Sequence, residues 1–304
     1  MRKFLIKTIL FTLPVLFMTI AMELLLRNIP NDYEQKKAYL DKHAAEIETL
    51  VLGSSHSYYG INPAFFTSNT FNVSHVSQTF KYDYAILKKY QPKFKSLRTI
   101  VLPLSYFTLY GNIEEGAESW RVKNYNLYYG LNVSGKLKDN LEVLGNTFKV
   151  NKKRLTNYYF AHESAITATE LGWCMKREIK KTNDLVETGK AAELRHTAKE
   201  ADTALVNYNI AILKSISAWC AEQNIKLVLI TMPAYKTYSE RLNIDQLNLT
   251  INTAQQVANE NGNGIYLNFL NDPRFVEADF YDADHLSDIG AEKFSKILND
   301  EINK

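Results

Sequence analysis

Two short segments near opposite ends of the chain hold side chains that could catalyse acyl transfer. The first, Gly53-Ser54-Ser55-His56-Ser57, follows an apolar run that begins at Thr49. A strand that leads into such a turn and then into a helix places a serine hydroxyl at the carboxyl edge of a sheet, beside unpaired N–H groups of the helix start. Gly53 allows the tight turn. Taken alone, Ser54 and Ser55 are more often simple helix caps.

The second segment, Phe280 to Gly290, precedes the last predicted helix and contains Asp282, Asp284 and His285. A catalytic histidine needs a carboxylate that holds its tautomer and stabilises its protonated form. Asp282 could provide this carboxylate, because three residues of separation on a tight loop allow the contact. Taken alone, these residues also fit loop and capping carboxylates beside one exposed imidazole.

The elements that would position both segments follow from the apolar pattern. Short apolar runs of strand character alternate with helical stretches, which is typical of a mainly parallel sheet covered on both faces. The predicted strands are 49–53, 70–73, 99–104, 226–231 and 265–267. The predicted helices are 82–90, 204–221, 253–259 and 287–297, the last with Ser287 as its N-cap. Residues 111–204 show no clear strand and predict a helical insertion or lid.

Together, a Gly-x-Ser after the first strand and an Asp-x-x-His before the last helix resemble the GDSL/SGNH hydrolase superfamily. The resemblance implies that Ser55 is the nucleophile, His285 the general base and Asp282 the acid that orients it. It spans roughly residues 49–298, apart from the insertion at about 111–204. It also implies a three-layer α/β/α, flavodoxin-like fold with a mainly parallel five-stranded sheet.

The chain departs from the family's pattern in the blocks that usually build the oxyanion hole. Ser54 stands where the family usually has an aspartate, the second block lacks its glycine, and the third lacks its Gly-x-Asn-Asp. Any non-proline backbone N–H could still donate, but the loss of one donor can cost about 10²–10³ in rate. The candidates for the oxyanion site and the pocket are Gly53, Ser54, His56, Ser77, Gln78 and Ser105.

The N-terminus predicts a membrane anchor. Arg2, Lys3 and Lys7 precede an apolar stretch from Ile9 to Leu26, close to the ~20 residues that cross a bilayer. Positive charge ahead of the stretch places the N-terminus in the cytoplasm and the rest of the chain outside it. A signal peptide is the alternative, but Thr19-Ile20-Ala21 is a poor cleavage site. The predicted regions are an anchor at 1–30, a stalk or approach helix at 31–46 and the SGNH-like domain at 47–304.

The departures from the family's blocks, the segments 53–56 and 77–84, and the single N-terminal anchor resemble a group of bacterial envelope proteins. This group includes the accessory protein of teichoic-acid D-alanylation and the alginate acetylation proteins. Such proteins work beside a multi-spanning membrane O-acyltransferase, and the resemblance implies such a partner here. We therefore expect a serine esterase or O-acyltransferase that acts on acyl esters of envelope polysaccharide through an acyl-Ser55 intermediate. Its main domain would be periplasmic or extracellular.

Two other functions remain open. A non-catalytic scaffold would keep the fold, hold glycan in a cleft lined by the aromatic residues of the insertion, and recruit the membrane acyltransferase. A phosphate-binding, flavodoxin-like module could use the turn at Gly53–Ser57, but no basic cluster lies near this turn in the sequence.

Composition narrows the choice of partners. The 304 residues carry a net charge of +3 and their basic residues are scattered, so the basic stripe of a nucleic-acid-binding protein is missing. The histidines lack the close paired spacing of a zinc motif, and we expect neither a metal nor a cofactor. Cys174 and Cys220 are too few and too far apart for a disulfide scaffold, and they either pair with each other or remain buried thiols.

Overall fold

The computed structural model describes residues 1–174, 184–199 and 202–304. Part of the predicted insertion, at 175–183 and 200–201, lies outside the described residues. The chain divides into two compact units, of which the first consists of Met1–Lys37 and Glu114–Thr167 and the second of Ala38–Ile113 and Ala168–Lys304. The predicted boundaries of the anchor, the stalk and the main domain stay predictions.

The second unit is built on a five-stranded sheet. Its strands are β1 (Thr49–Val51), β2 (Thr70–Asn72), β3 (Thr99–Pro103), β4 (Lys226–Thr231) and β5 (Gly264–Asn268). They lie in the order β2-β1-β3-β4-β5, and every neighbouring pair is parallel. This confirms the predicted α/β class with a mainly parallel five-stranded sheet.

The strand order fixes where a site can form. All residues of β1 and β3 are buried, and because successive side chains of a strand point to opposite faces, both faces of the sheet are covered there. The order of the strands reverses at β1, because β2 lies on one side of β1 and β3, with all later strands of the sheet, lies on the other. Open parallel sheets bind their ligands at the carboxyl edge beside such a reversal. The turns that follow these two strands are therefore the place to look for chemistry.

Helices account for most of the other regular structure. In chain order they are α1 (Arg2–Arg27), α2 (Asp32–His43), α3 (Ser55–Gly60), α4 (Phe80–Tyr90), α5 (Val122–Asn124), α6 (Glu142–Gly145), α7 (Phe148–Tyr159), α8 (Leu185–His196), α9 (Thr203–Glu222), α10 (Lys236–Ser239), α11 (Ile244–Glu260) and α12 (Asp288–Ile302). Short 3₁₀ turns lie at Pro63–Phe65, Thr108–Tyr110, Ser119–Arg121, Leu137–Asn140 and Glu277–Asp279, and a π-helical turn lies at Tyr125–Tyr129. A small antiparallel hairpin joins β6 (Phe280–Asp282) to β7 (His285–Leu286).

The helices predicted at 82–90, 204–221 and 287–297 are confirmed as α4, α9 and α12. Ser287 caps α12, because its side chain accepts the N–H of Gly290. In contrast, α11 begins at Ile244, well before the predicted start at 253. Its early turns bury Gln246 and Thr250, and buried polar side chains conceal the apolar period that sequence patterns detect.

A buried cluster ties the C-terminal hairpin to the sheet. Val51 and Val101 from neighbouring strands pack in this cluster with Phe294 of α12. Phe280 and Leu286, one from each strand of the hairpin, belong to the same cluster. Burial of each such side chain contributes roughly 1.5–3 kcal/mol. The loop between β6 and β7 is therefore held in a fixed place relative to β1.

The first unit contains the long apolar helix α1. The most apolar window of α1 has a mean hydropathy of 2.3, and only 11% of it is buried. The helix is long and apolar enough to cross a membrane, as the sequence predicts, and its low burial disfavours a soluble core helix. Elsewhere in this unit, Tyr125 and Tyr129 are buried and pack edge-on against Tyr33, with ring centroids 5.1 and 6.3 Å away. These tyrosines pack the interior and do not line a cleft.

The two cysteines are free, buried thiols. Cys220 lies in α9, where burial raises the pKa of its thiol to about 12. Of the two alternatives that the sequence leaves open, the structure has unpaired thiols.

Candidate active site

A tight turn after β1 presents Ser55. Gly53 has a φ of +104°, and a Cβ at this position would lie 2.7 Å from Ser57 Oγ, so the turn requires glycine. Ser54 is the N-cap residue of α3, and its side chain makes no capping bond with any described residue. Ser55 is the first residue of that helix. The capping role that explains most isolated Gly-Ser-Ser sequences therefore does not explain these two serines.

Ser55, His285 and Asp282 form one hydrogen-bonded line. Ser55 Oγ lies 3.0 Å from His285 Nε2, and His285 Nδ1 lies 2.9 Å from Asp282 Oδ1. The same Asp282 oxygen accepts the backbone N–H of His285 at 2.8 Å, which holds the carboxylate in place. With the Nδ1 proton facing Asp282, Nε2 can accept the hydroxyl proton of Ser55, as a serine nucleophile requires. The fold thus brings together the three residues that the sequence analysis singled out.

A second carboxylate, Asp284, lies beside this line. Its Oδ1 is 3.6 Å from His285 Nδ1, and its Oδ2 is 3.0 Å from Arg195 Nη2. Burial raises the pKa of the Asp284 carboxyl, but the charge of His285 and the contact with His56 outweigh burial and hold this pKa well below its usual value. Asp284 is therefore an ionised group inside the protein.

His56 lies between Asp284 and Ser105. Its Nδ1 is 2.7 Å from Ser105 Oγ, and its Nε2 is 3.8 Å from Asp284 Oδ2. No described residue forms a hydrogen bond with the buried Nε2. Burial lowers the pKa of His56, so the ring is neutral. His56 and Ser105, both predicted to line the pocket, thus contact each other beside the hydrogen-bonded line that contains Ser55.

Asp284 also contacts two residues of α8 that the sequence analysis did not identify as site residues. These are Arg195 and His196; His196 Nδ1 lies 3.8 Å from Asp284 Oδ2 and 2.9 Å from the Tyr238 hydroxyl. Burial lowers the pKa of His196 to about 3, and Asp284 offsets this effect only in part. The contacts of Asp284 with Arg195 and His196 join residues almost 90 positions apart, and no local sequence pattern indicates them.

Asp83 links the turn at Gly53–Ser57, called the nucleophile turn after the predicted role of Ser55, to the loop after β2. One of its carboxylate oxygens accepts the Gly53 N–H at 2.9 Å and the Gln78 side-chain amide at 2.6 Å. Burial raises the pKa of Asp83 to about 7, although both hydrogen bonds oppose that shift. The sequence analysis missed Asp83, yet a signal was present: with Ile86, Leu87 and Tyr90 it lies on the buried face of α4. An acid in an apolar stripe needs a specific partner.

The predicted oxyanion candidates differ in what they contact. Gln78 uses its backbone N–H in a bond to His75 and its side chain in the bond to Asp83. The Ser105 N–H donates to Thr108 Oγ1 at 2.8 Å. Ser77 has a φ of +61°, a conformation that favours glycine. Gln78 and Ser105 are thus engaged inside the protein, whereas the unusual backbone of Ser77 needs an explanation.

One group of donor atoms in the site could suit a cation. His56, Asp284 and His285 each place a possible ligand atom within 4.8 Å of the others. However, both ring nitrogens of His285 already contact Ser55 and Asp282, and the guanidinium of Arg195 neutralises Asp284. A cation would have to displace these contacts. The expectation of a metal-free site stays a prediction.

Comparison with known proteins gives little further guidance. No family model and no curated protein matches the chain. A solved structure, described as that of a proposed platelet activating factor from Streptococcus pneumonia, is similar over 96% of this chain and 98% of its own, with 10% identity and a TM-score of 0.43. A likeness at this level carries no argument about activity or substrate.

Proposed function

We propose that this protein is a membrane-anchored serine esterase or O-acyltransferase of the GDSL/SGNH type. The observation that supports this most directly is the line from Ser55 Oγ to His285 Nε2, at 3.0 Å, and from His285 Nδ1 to Asp282, at 2.9 Å. The line lies at the carboxyl edge of a parallel sheet, where such sheets carry their sites. The order of a serine after the first strand and an Asp-x-x-His before the last helix agrees with the family's pattern.

The chemistry would proceed in two steps through an acyl-serine. In the first step, Ser55 Oγ attacks the acyl carbonyl while His285 Nε2 takes its proton, and Asp282 stabilises the imidazolium. The tetrahedral intermediate then releases the alcohol, which receives the proton from His285, and an ester remains on Ser55. In the second step, water or a sugar hydroxyl gives its proton to His285 and attacks that ester, and Ser55 leaves with the proton.

The proposed substrate is an acyl ester, preferably an acetyl ester, of a cell-envelope polysaccharide. Helix α1 would anchor the protein, with Arg2, Lys3 and Lys7 in the cytoplasm and the triad on the other side of the membrane. A multi-spanning membrane O-acyltransferase would be its partner. Whether water or a sugar hydroxyl accepts the acyl group from Ser55 depends on how far the closed site excludes water.

Two backbone N–H groups are the proposed oxyanion donors. Ser55 begins α3, so its N–H has no acceptor within the helix. Ser77 lies in the loop that Gln78 and Asp83 connect to the nucleophile turn. Its φ of +61° is a conformation that glycine adopts readily, and the family has a glycine in this block. We therefore assign to the Ser77 backbone the part that the family's glycine plays.

The first experiment compares hydrolysis of p-nitrophenyl acetate by the full chain in detergent with that of Ser55→Ala and His285→Ala. Both substitutions should lower the turnover number by at least ~10³-fold, because the members of a triad act as a unit. Ser54→Ala is the matched control and should retain most activity. A fluorophosphonate probe should label the wild type and Ser54→Ala but not Ser55→Ala.

A non-catalytic scaffold is the second candidate. It is favoured by the contacts of Gln78 and Ser105, which occupy groups that could otherwise stabilise an oxyanion. A wild-type protein that neither turns over the ester nor reacts with the probe would support the scaffold and contradict the enzyme.

A further inference from the structure

Exposed apolar side chains accumulate on one segment of the first unit, residues 136–160. The fractional exposures are 73% for Leu137, 53% for Leu144, 72% for Phe148, 44% for Val150 and 80% for Phe160. Such an accumulation is typical of a surface that contacts a partner or a membrane. We refer to the exposed side chains of residues 136–160 as the basic–apolar surface.

The accessible charges of this surface are positive. Its lysines at positions 136, 138, 149, 152 and 153 are exposed. Its carboxylates, Asp139 and Glu142, are both buried, and Glu142 forms ion pairs with Lys123 at 3.0 Å and Arg154 at 2.5 Å. The structure describes every residue of the segment, so the surface combines apolar side chains with lysines and no exposed acid. This combination suits the interface of an anionic bilayer.

The segment is attached to the last turns of α1. The carboxylate of Glu23 accepts the N–H groups of Glu142 at 3.1 Å and Val143 at 2.9 Å. The Tyr159 hydroxyl donates to the carbonyl of Leu25 at 3.0 Å. A third bond, 2.9 Å long, joins the Arg27 guanidinium to the carbonyl of Asn140. Both α6 and α7 are therefore fixed to the same end of the helix.

These attachments lie where the apolar part of α1 ends. A helix needs ~20 apolar residues to cross the hydrocarbon core, and the apolar stretch of α1 runs to Leu26. Glu23 and Leu26 are buried against the rest of the unit, but Leu24 and Leu25 are 57% and 43% exposed, so lipid can contact one side of α1 up to its last turn. Segments bonded to Glu23, Leu25 and Arg27 consequently lie at the depth of the headgroups.

We infer that the basic–apolar surface binds the headgroup interface of an anionic phospholipid bilayer, on the side where α1 leaves the membrane. Phe148 and Phe160 enter the boundary between headgroups and acyl chains, and the lysines contact lipid phosphates. The inference rests on the membrane anchoring contained in the proposed function, but it does not depend on the hydrolytic chemistry. It gives the first unit a second membrane contact beside α1.

Depth-dependent fluorescence quenching tests this contact on the full chain. Phe148→Cys and Phe160→Cys, each labelled with an environment-sensitive NBD group, are placed in vesicles of phosphatidylcholine and phosphatidylglycerol that contain lipid spin-labelled near the top of the acyl chain. A second set of vesicles, spin-labelled near the end of the acyl chain, is used for position 16. Leu16→Cys in α1 is the control for the anchor, and Ile289→Cys in α12 gives the baseline, since both native side chains are about 60% exposed. The native Cys174 and Cys220 are buried, and the unsubstituted chain measures their labelling.

We expect quenching at positions 148 and 160 to be at least twofold above the baseline, and to fall at least twofold at position 148 when phosphatidylglycerol is left out. Quenching at position 16 with only baseline values at 148 and 160 overturns the inference and leaves the anchor intact; a surface made for a protein partner would give this result. Baseline quenching at position 16 as well overturns the anchoring and the inference with it. Quenching at 148 that does not depend on phosphatidylglycerol overturns the assignment to anionic lipid.

Discussion

Asp284 places a buried carboxylate oxygen 3.6 Å from Nδ1 of His285, the same nitrogen that forms a 2.9 Å hydrogen bond with Asp282. One imidazole thus faces two carboxylates. Asp282 orients the ring through a direct bond, whereas Asp284 acts through its charge, which Arg195 balances in turn. The two acids should therefore contribute differently to activity and to its pH dependence.

Replacing each acid by its amide separates these contributions. Asp282→Asn should lower the turnover number by about 10⁴-fold, because the loss of the orienting carboxylate favours the wrong tautomer. Asp284→Asn should cost only about tenfold and should move the acid limb of the pH–rate profile to lower pH, since a neutral amide favours the protonated ring less. The measurement is kcat/KM for p-nitrophenyl acetate between pH 5 and 9. Equal losses and unshifted limbs for both variants would contradict this division of roles.

The nucleophile turn should not tolerate a side chain at Gly53. Gly53→Ala combines a positive φ with a Cβ 2.7 Å from Ser57 Oγ and 3.1 Å from Pro103, so we expect a loss of about 2–4 kcal/mol in the free energy of unfolding. Gly262→Ala is the matched control, because Gly262 has a φ of +70° but nothing within 4 Å of its Cβ position; its loss should stay near 1 kcal/mol. Chemical denaturation of both variants measures the difference. Equal losses would mean that the turn relaxes around the new methyl group.

Much of the fold could be predicted because most of its strands contain a short run of apolar residues, as in β3 and β4. A strand buried on both faces, such as β3, gives a continuous apolar run that a surface loop does not imitate. The hairpin of β6 and β7 could not be predicted, since strands of two or three residues are too short to show a period. The early start of α11 was missed because Gln246 is buried by bonding the carbonyls of Tyr106 and His196. Such contacts depend on the tertiary structure.

Only the local motifs of the candidate site could be predicted from the sequence. Ser55 follows a strand and Asp282 lies three residues before His285, so each motif is visible within a few positions of the sequence. Asp83 and Arg195 reach the same region through folding of distant segments, and no spacing rule connects them to the triad. The sequence therefore indicates the three residues that the fold brings together, but not the charged side chains around them.

His196 should make the protein less stable as the pH falls below about 6.5. Its folded-state pKa of about 3 lies below the usual value of 6.5. Between these two pH values the unfolded chain therefore binds a proton at His196 that the folded chain does not bind. The contribution is fully present above pH 6.5 and is lost towards pH 3, by up to about 5 kcal/mol. We expect His196→Gln to lose less stability than the wild type between pH 7 and 4, measured by thermal unfolding in detergent. Parallel losses in the two proteins would show that another group causes the acid sensitivity.

Asp83 should have the opposite effect on stability. Burial raises its folded-state pKa to about 7 from a usual value of 3.8, so between these values the unfolded chain has released a proton that the folded chain keeps. Its contribution is therefore complete below pH 4 and is lost as the pH rises through 7, by up to about 4 kcal/mol.

Asp83→Asn isolates this effect, because the amide keeps an oxygen that can accept the bonds from Gly53 and Gln78. Near pH 4 the variant and the wild type should have similar free energies of unfolding, since Asp83 is then protonated in the folded chain and still largely so in the unfolded chain. At pH 8 the variant should be the more stable protein, because it avoids burying a charge. The titration of His196 is common to both proteins and cancels in this comparison. A variant that is less stable at both values by the same amount would show that Asp83 is ionised throughout and serves as a charged acceptor for the nucleophile turn.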